Sequence, residues 1–185
     1  GTALSLATQV GLEGLTIGHL ADDLSLSKSG LFAHFKSKQA LQVQVLVFAA
    51  ERFTERVVQP ALAAPRGEPR VRALFERWLE WDRSRLPGGC LFVAAAIELD
   101  DQPGPGRDEL VRGQRDWLEV IANCCRTAVA ERHFRKDMDP EQFAHDLYGC
   151  MLAWHHAARL MRDPAAERRA RSAFEALVRA VRTPR

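Results

Sequence analysis

Apolar residues along this chain recur at three- and four-residue spacing rather than at alternate positions, which is the pattern of helices burying one face. Gly, Pro and small polar residues cluster at Gly11–Leu15, Ser25–Ser27, Lys36–Ser37, Ala63–Pro69, Pro87–Gly89, Asp100–Gly106, Lys136–Asp139 and Arg162–Asp163. Between these breaks Ala, Leu, Arg, Glu and Gln dominate, all good helix formers, and strand signals are nearly absent. The pattern predicts an all-α fold of about nine helices. Three short ones end near Phe35, and longer ones follow, on the order of 10–24 residues each. Asp139-Pro140 and Asp163-Pro164 each put a capping carboxylate before a proline at a helix start. The fourth helix, from about Lys38 to Gln59, is expected to connect a small head to a larger helical body. The first helix enters its amphipathic pattern (Leu4, Ala7, Val10) with no cap ahead of it, so it is expected to be truncated.

The most informative stretch runs from Gly14 to Lys38. Thr16 is a natural N-cap, and Ile17, Leu20, Ala21 and Leu24 then share one apolar face. Ser25 ends that helix and Ser27 caps the next, whose buried side is assigned to Leu31, Phe32 and Phe35. Two short helices joined by so tight a turn make a helix-turn-helix, whose second helix enters the DNA major groove. Lys28, Ser29 and Gly30 fill the first turn of that second helix, where N–H groups and the positive helix end favour phosphate or base acceptors. His34, Lys36 and Lys38 follow, with no acid between Lys28 and Lys38. Ser29 and Lys36 fit a solvated surface as well as they fit a DNA contact.

Composition narrows the field further. The chain has 185 residues, 46% hydrophobic and 27% charged, which is ordinary globular usage. Its 26 Lys+Arg against 24 Asp+Glu leave a net charge of only +2, so a nucleic-acid footprint has to be local. No apolar run approaches a membrane span, and no secretory signal is visible. Four cysteines, Cys90, Cys124, Cys125 and Cys150, are too few and too irregular for a disulfide framework, so a reduced, cytoplasmic setting is expected.

On these residues the sequence resembles the TetR (tetracycline-repressor-like) family of bacterial transcription regulators. The resemblance is carried by Gly14-Leu15-Thr16, Leu20-Ala21 and the run from Ser27 to Leu41, which is close to the family's LYxHFxSKxxL signature. It covers about residues 1–48, and beyond them rests on length and helical layout. It implies a helix-turn-helix DNA-binding domain at 1–38 and a ligand-binding and dimerisation domain at 39–185. By residue match, Thr16, His34 and Lys38 would contact phosphates, Lys28, Ser29 and Gly30 would read bases, and Phe32 stands where the family usually has Tyr. Phe32 lacks the hydroxyl for a phosphate, leaving apolar contact with sugar or a thymine methyl. Ser25 occupies a turn position where Gly is usual, at a cost of roughly 1 kcal/mol if left-handed.

The helix near Asp139–Met161 is apolar nearly all round, so it should be covered on two sides. Phe143, Leu147, Met151 and Trp154, with Phe174, Leu177, Val178 and Val181 of the last helix, are the expected dimer interface, matching the two helices per subunit that the resemblance implies. Trp78, Trp81, Phe92, Trp117, Ile121, Tyr148 and His155 are candidate lining for an apolar effector, though such stripes also serve as plain core. Adjacent pairs such as His155-His156 and Cys124-Cys125 point to different sides of a helix, so no metal site or cofactor is expected. A redox pairing of Cys124 or Cys125 with Cys150 competes with the commoner role of buried structural thiols. No nucleophile set, P-loop or dinucleotide fingerprint points to an enzyme. The expected function is a homodimeric operator-binding regulator, a repressor modulated by a small-molecule effector, with no membrane partner. The alternative is a helical ligand-binding or interaction protein that has lost DNA binding.

Overall fold

The structure, a computed structural model, describes residues 1–83 and 86–184. Within them the chain forms α1 (Thr2–Gly14), α2 (Ile17–Leu24), α3 (Lys28–Phe35) and α4 (Lys38–Phe53). A π-helical turn (Thr54–Val58) then runs directly into the short α5 (Gln59–Leu62). There follow α6 (Glu68–Asp82), α7 (Leu91–Leu99), α8 (Pro105–Ala130), α9 (Pro140–His155) with a π-helical turn His156–Leu160 at its end, and α10 (Ala166–Val181). Counting α4, the π turn and α5, which follow one another directly in sequence, as one helical segment, the described residues make nine, as the periodicity predicts. The all-α expectation holds; β pairing among the described residues is limited to an isolated bridge between Phe134 and Arg182.

The chain divides into two compact units. The first takes Gly1–Phe53 and Arg83–Gln114; the second takes Thr54–Asp82 and the residues from Arg115 onward. The first unit closes on Leu12, Leu15, Leu20, Leu41, Leu46 and Leu91, all essentially without solvent contact. Leu31 and Phe35 of α3 pack partly buried against that cluster. In the second unit Phe75 stacks on Phe174, centroids 4.2 Å apart, and Trp78 meets Trp154 edge-on at 5.8 Å. Burial of each such ring contributes roughly 1.5–3 kcal/mol before the entropy of ordering is charged against it.

Most of the local signals act as their chemistry requires. Asp139 accepts from the N–H groups of Glu141 and Gln142, both at 3.0 Å, with Pro140 in the first turn. The Asp163 signal is displaced: its carboxylate accepts from Ala165 N–H at 2.8 Å, and the helix starts two residues later than the sequence suggests, at Ala166. The reason is that Asp163 closes a turn over Pro164 rather than capping the helix itself. Inside α1, Gly11 sits at φ 78°, ψ 166°, a conformation open essentially to glycine alone, so the helix is broken there before it resumes.

Candidate nucleic-acid interface

Thr16 caps α2 by accepting the His19 N–H at 3.1 Å, while His19 Nδ1 lies 3.0 Å from the Gly14 carbonyl. The end of α2 is a Schellman motif. Ser25 adopts φ 53°, ψ 38°, its N–H reaches the Asp22 carbonyl, and the Leu26 N–H reaches the Ala21 carbonyl at 2.9 Å. The left-handed serine that the missing glycine predicts is therefore present. Ser27 then caps α3 by accepting the Gly30 N–H at 3.1 Å. Leu20 and Ala21 are buried, so α2 is the supporting helix of the pair.

No residue of α3 is fully buried. Lys28, Ser29, Gly30, Phe32 and His34 are all exposed, and only Leu31 and Phe35 turn partly inward. The buried side assigned to this helix therefore needs one correction: Phe32 is 58% exposed. Positions 31 and 35, one helical turn apart, fall on the packed face; position 32 lies about 100° round from 31 and leaves it. This outward display is what a groove-entering helix requires.

Two of the candidate cations have acidic neighbours. Lys28 Nζ is 3.7 Å from Asp22, both well exposed. Lys38, half-buried at the start of α4, donates to Glu13 at 2.9 Å. Gln42 donates to the same carboxylate at 2.9 Å and, from the same nitrogen, to the buried Leu12 carbonyl at 2.8 Å. The Lys38 ammonium, then the Gln42 amide, hold the Glu13 carboxyl below its ordinary 4.5. Sequence reading missed Glu13 and Gln42 as partners here; no local signal ties Glu13 to Lys38 or to Gln42 across 25 and 29 residues of chain respectively.

The residues expected at a dimer interface are mostly inside the second unit. Phe143, Leu147, Met151, Trp154, Phe174 and Val178 are buried in the core of this single chain, which corrects their assignment to a partner-facing surface. Leu177 and Val181 are half-buried. The opposite face of the same two helices is open. Leu152, Leu160 at 72% and Met161 at 65% are exposed, as are Ala153, Ala173 and Ala176. A groove of about 580 Å³ runs between α9 and α10, lined among others by His145, Gly149, Ala153, Arg169, Ala173 and Leu177.

The effector candidates separate in the same way. Trp78, Trp81, Trp117 and Ile121 are buried core of the second unit, while Tyr148 and His155 are half-buried there. Phe92 belongs to the first unit and packs edge-on against Phe53 at 5.8 Å. His155 Nδ1 lies 2.7 Å from the fully buried carboxylate of Asp82, a polar pair whose acid the sequence did not single out. Burial raises the thiols of Cys124 and Cys150 and pushes Cys125 up to about 12, so reactive thiolate is scarce at neutral pH. Among the described residues no group of three or more His, Cys, Asp or Glu is placed to hold a metal, and no helix is long and apolar enough to cross a membrane.

Two family profiles match the chain. The one described as bacterial regulatory proteins, tetR family, matches residues 1–45, and the one described as tetracyclin repressor-like, C-terminal domain, matches residues 67–174. Nothing among curated protein sequences matches. Several solved structures share the fold. A TetR-family transcriptional regulator from Cytophaga hutchinsonii superposes with a TM-score of 0.86 at 15% identity, over 99% of this chain and 92% of that one. A TetR transcriptional regulator from Chloroflexus aurantiacus reaches 0.84 at 25% identity, over 98% and 93%. AibR, solved in complex with isovaleryl coenzyme A and operator DNA, gives 0.71 at 18% identity, over 100% and 96%.

Proposed function

From the premise that this chain belongs to the tetR family of bacterial regulatory proteins, and is thus a DNA-binding regulator whose partner classes are operator DNA, a second copy of itself and a small-molecule effector, we propose how its own residues divide the work. The reading head is residues 1–38, and α3 is the element that enters the major groove. Its first turn, Lys28, Ser29 and Gly30, reads base edges; Thr16, His34 and Lys38 meet phosphates; Phe32 contributes apolar contact to sugar or a thymine methyl. The observation that carries this is the outward display of α3: only Leu31 and Phe35 pack inward, while Lys28, Ser29, Gly30, Phe32 and His34 all face solvent on a helix held by the partly buried α2.

One such head makes few base contacts, so a second copy is needed to place another about 34 Å away in the next major groove on the same face. The surface that supports self-association is the outer side of α9, the π turn after it and α10, through Leu152, Ala153, Leu160, Met161 and Ala173, with Leu177 half-buried beside them. The body from residue 39 onward binds a small apolar effector, and the protein acts as a repressor released on binding. AibR, solved in complex with isovaleryl coenzyme A and operator DNA, is an instance of the same fold holding both a small molecule and operator DNA. An effector acts only through differing affinity for the two arrangements of the heads. Such a protein works by binding rather than catalysis, in the bacterial cytoplasm.

A gel-shift against a pool of genomic fragments tests the head directly. Lys28→Ala should cost about 1–3 kcal/mol and relax sequence preference, whereas Lys38→Ala should weaken all duplexes alike. Unchanged binding in both variants would remove groove insertion by α3.

A further inference from the structure

The break in α1 has an acid built into it. Glu98 of α7 accepts the Glu13 N–H at 2.9 Å, just past Gly11, so its carboxylate serves the amide end of the resumed turn. A Cβ on Gly11 would lie 2.4 Å from Glu98 Oε1, so any other residue there would both strain the positive φ and displace the Glu98 carboxylate. Ten residues before Glu98, the Gly88 N–H donates to Thr8 Oγ1 at 3.2 Å, and a Cβ on Gly88 would overlap the Thr8 carbonyl. The segment from 88 to 98 therefore grips α1 at two points within the first unit. What the second grip positions is Glu13, and Glu13 holds Lys38.

We propose that Glu98 and Glu13 are positioning residues that restrain operator binding: Glu98 sets the backbone of Glu13 at the Gly11 break, and Glu13 occupies the Lys38 ammonium that a DNA phosphate must take over. This rests on the reading of Lys38 as a phosphate contact. In the free protein the ammonium is engaged, so binding exchanges one oxyanion for another instead of recruiting an idle cation. Gln42, tied to both the Leu12 carbonyl and Glu13, keeps the carboxylate from swinging away.

The test is a double-mutant cycle on the full chain, read by fluorescence anisotropy with a labelled random-sequence duplex at fixed salt. Glu13→Gln should tighten binding about two- to fivefold, the span of an exposed ion pair. That gain should vanish in the Lys38→Ala background, whereas simple relief of charge repulsion would persist there and overturn the proposal. Glu98→Ala should tighten binding in the same direction, and Glu98→Gln, which keeps an acceptor for the Glu13 N–H, should return it to wild type. An NMR titration of the Glu13 carboxyl gives a readout without DNA: Lys38→Ala and Glu98→Ala should both raise its midpoint toward 4.5. An unmoved midpoint in Lys38→Ala overturns the restraint even if duplex binding is normal. If no variant binds duplex while the titration behaves as expected, the DNA reading falls and takes the restraint on operator binding with it.

Discussion

Single residues in this head carry opposing demands. Ser25 must be left-handed for α2 to end where α3 can begin, and a serine there is strained by roughly 1 kcal/mol relative to glycine. Ser25→Gly should therefore raise stability by up to about 1 kcal/mol in urea unfolding, with duplex binding unchanged, because the Leu26-to-Ala21 hydrogen bond that shapes the turn is a backbone one. A loss of stability would mean that the serine side chain holds the turn itself. Glycine at position 11 is the converse case, where the backbone conformation favours glycine and a side chain would in addition push the Glu98 carboxylate off the Glu13 N–H. The paired state of Lys38 belongs to this scale too: a lysine matching a family phosphate contact is legible in the motif, but its partner Glu13 is recognisable only once α1 and α4 are packed together.

At the scale of elements, the helix from Pro140 to His155 shows why apolarity alone does not say which face meets what. Its larger side chains, Phe143, Leu147, Met151 and Trp154, fill the unit's own interior. The face left outside is built of smaller or more isolated groups, Gly149, Leu152, Ala153 and then Leu160, beside Ala173 and Ala176 of α10. Small residues let two helices approach closely, so this face suits a second pair of helices better than the bulky stripe would. Replacing Leu152 and Leu160 together by Glu should convert a dimer to a monomer in sedimentation velocity. Because Leu160 is 72% and Leu152 37% exposed in the single chain, neither side chain belongs to the buried core and the monomer's thermal unfolding should retain its cooperativity. A double variant that stays dimeric would place the interface elsewhere.

Considered as a whole molecule, the second unit ties α6 to the end of the described chain with ion pairs, one within α6 and two distant in sequence. Glu68 accepts from Arg72 Nε at 2.6 Å and from Arg182 Nε at 2.8 Å, and Glu175 accepts from Arg72 Nη2 at 3.0 Å. The Arg182 hydrogen bond, then Arg72, lowers the Glu68 carboxyl below 4.5, and Arg72 does the same for Glu175. A carboxyl lowered in the folded state contributes stability that is complete above 4.5 and lost as pH falls through the lowered value. Thermal midpoints should thus hold between pH 5 and 7, on the order of the range where carboxylates stay ionised, and decline below it. Glu68→Gln should lower the neutral-pH midpoint and flatten the acid decline; an unaltered acid profile would show that other carboxylates dominate.

Much of this was open to reading from the chain because it depends on neighbours in sequence. Helical period, the Thr16, Ser27 and Asp139 caps, and the turn at Ser25 all follow from residues within a few positions of one another, and the run from Ser27 to Leu41 concentrates enough of them to resemble one family. Tertiary structure alone decided which apolar stripe became core, that Phe92 lies in a different unit from the tryptophans, and that Glu98, Glu13 and Lys38 form one chain of contacts. Those outcomes join residues 25 to 85 positions apart. Local chemistry sets what each segment can bury or donate, but the partner it meets is chosen by the packing of the whole.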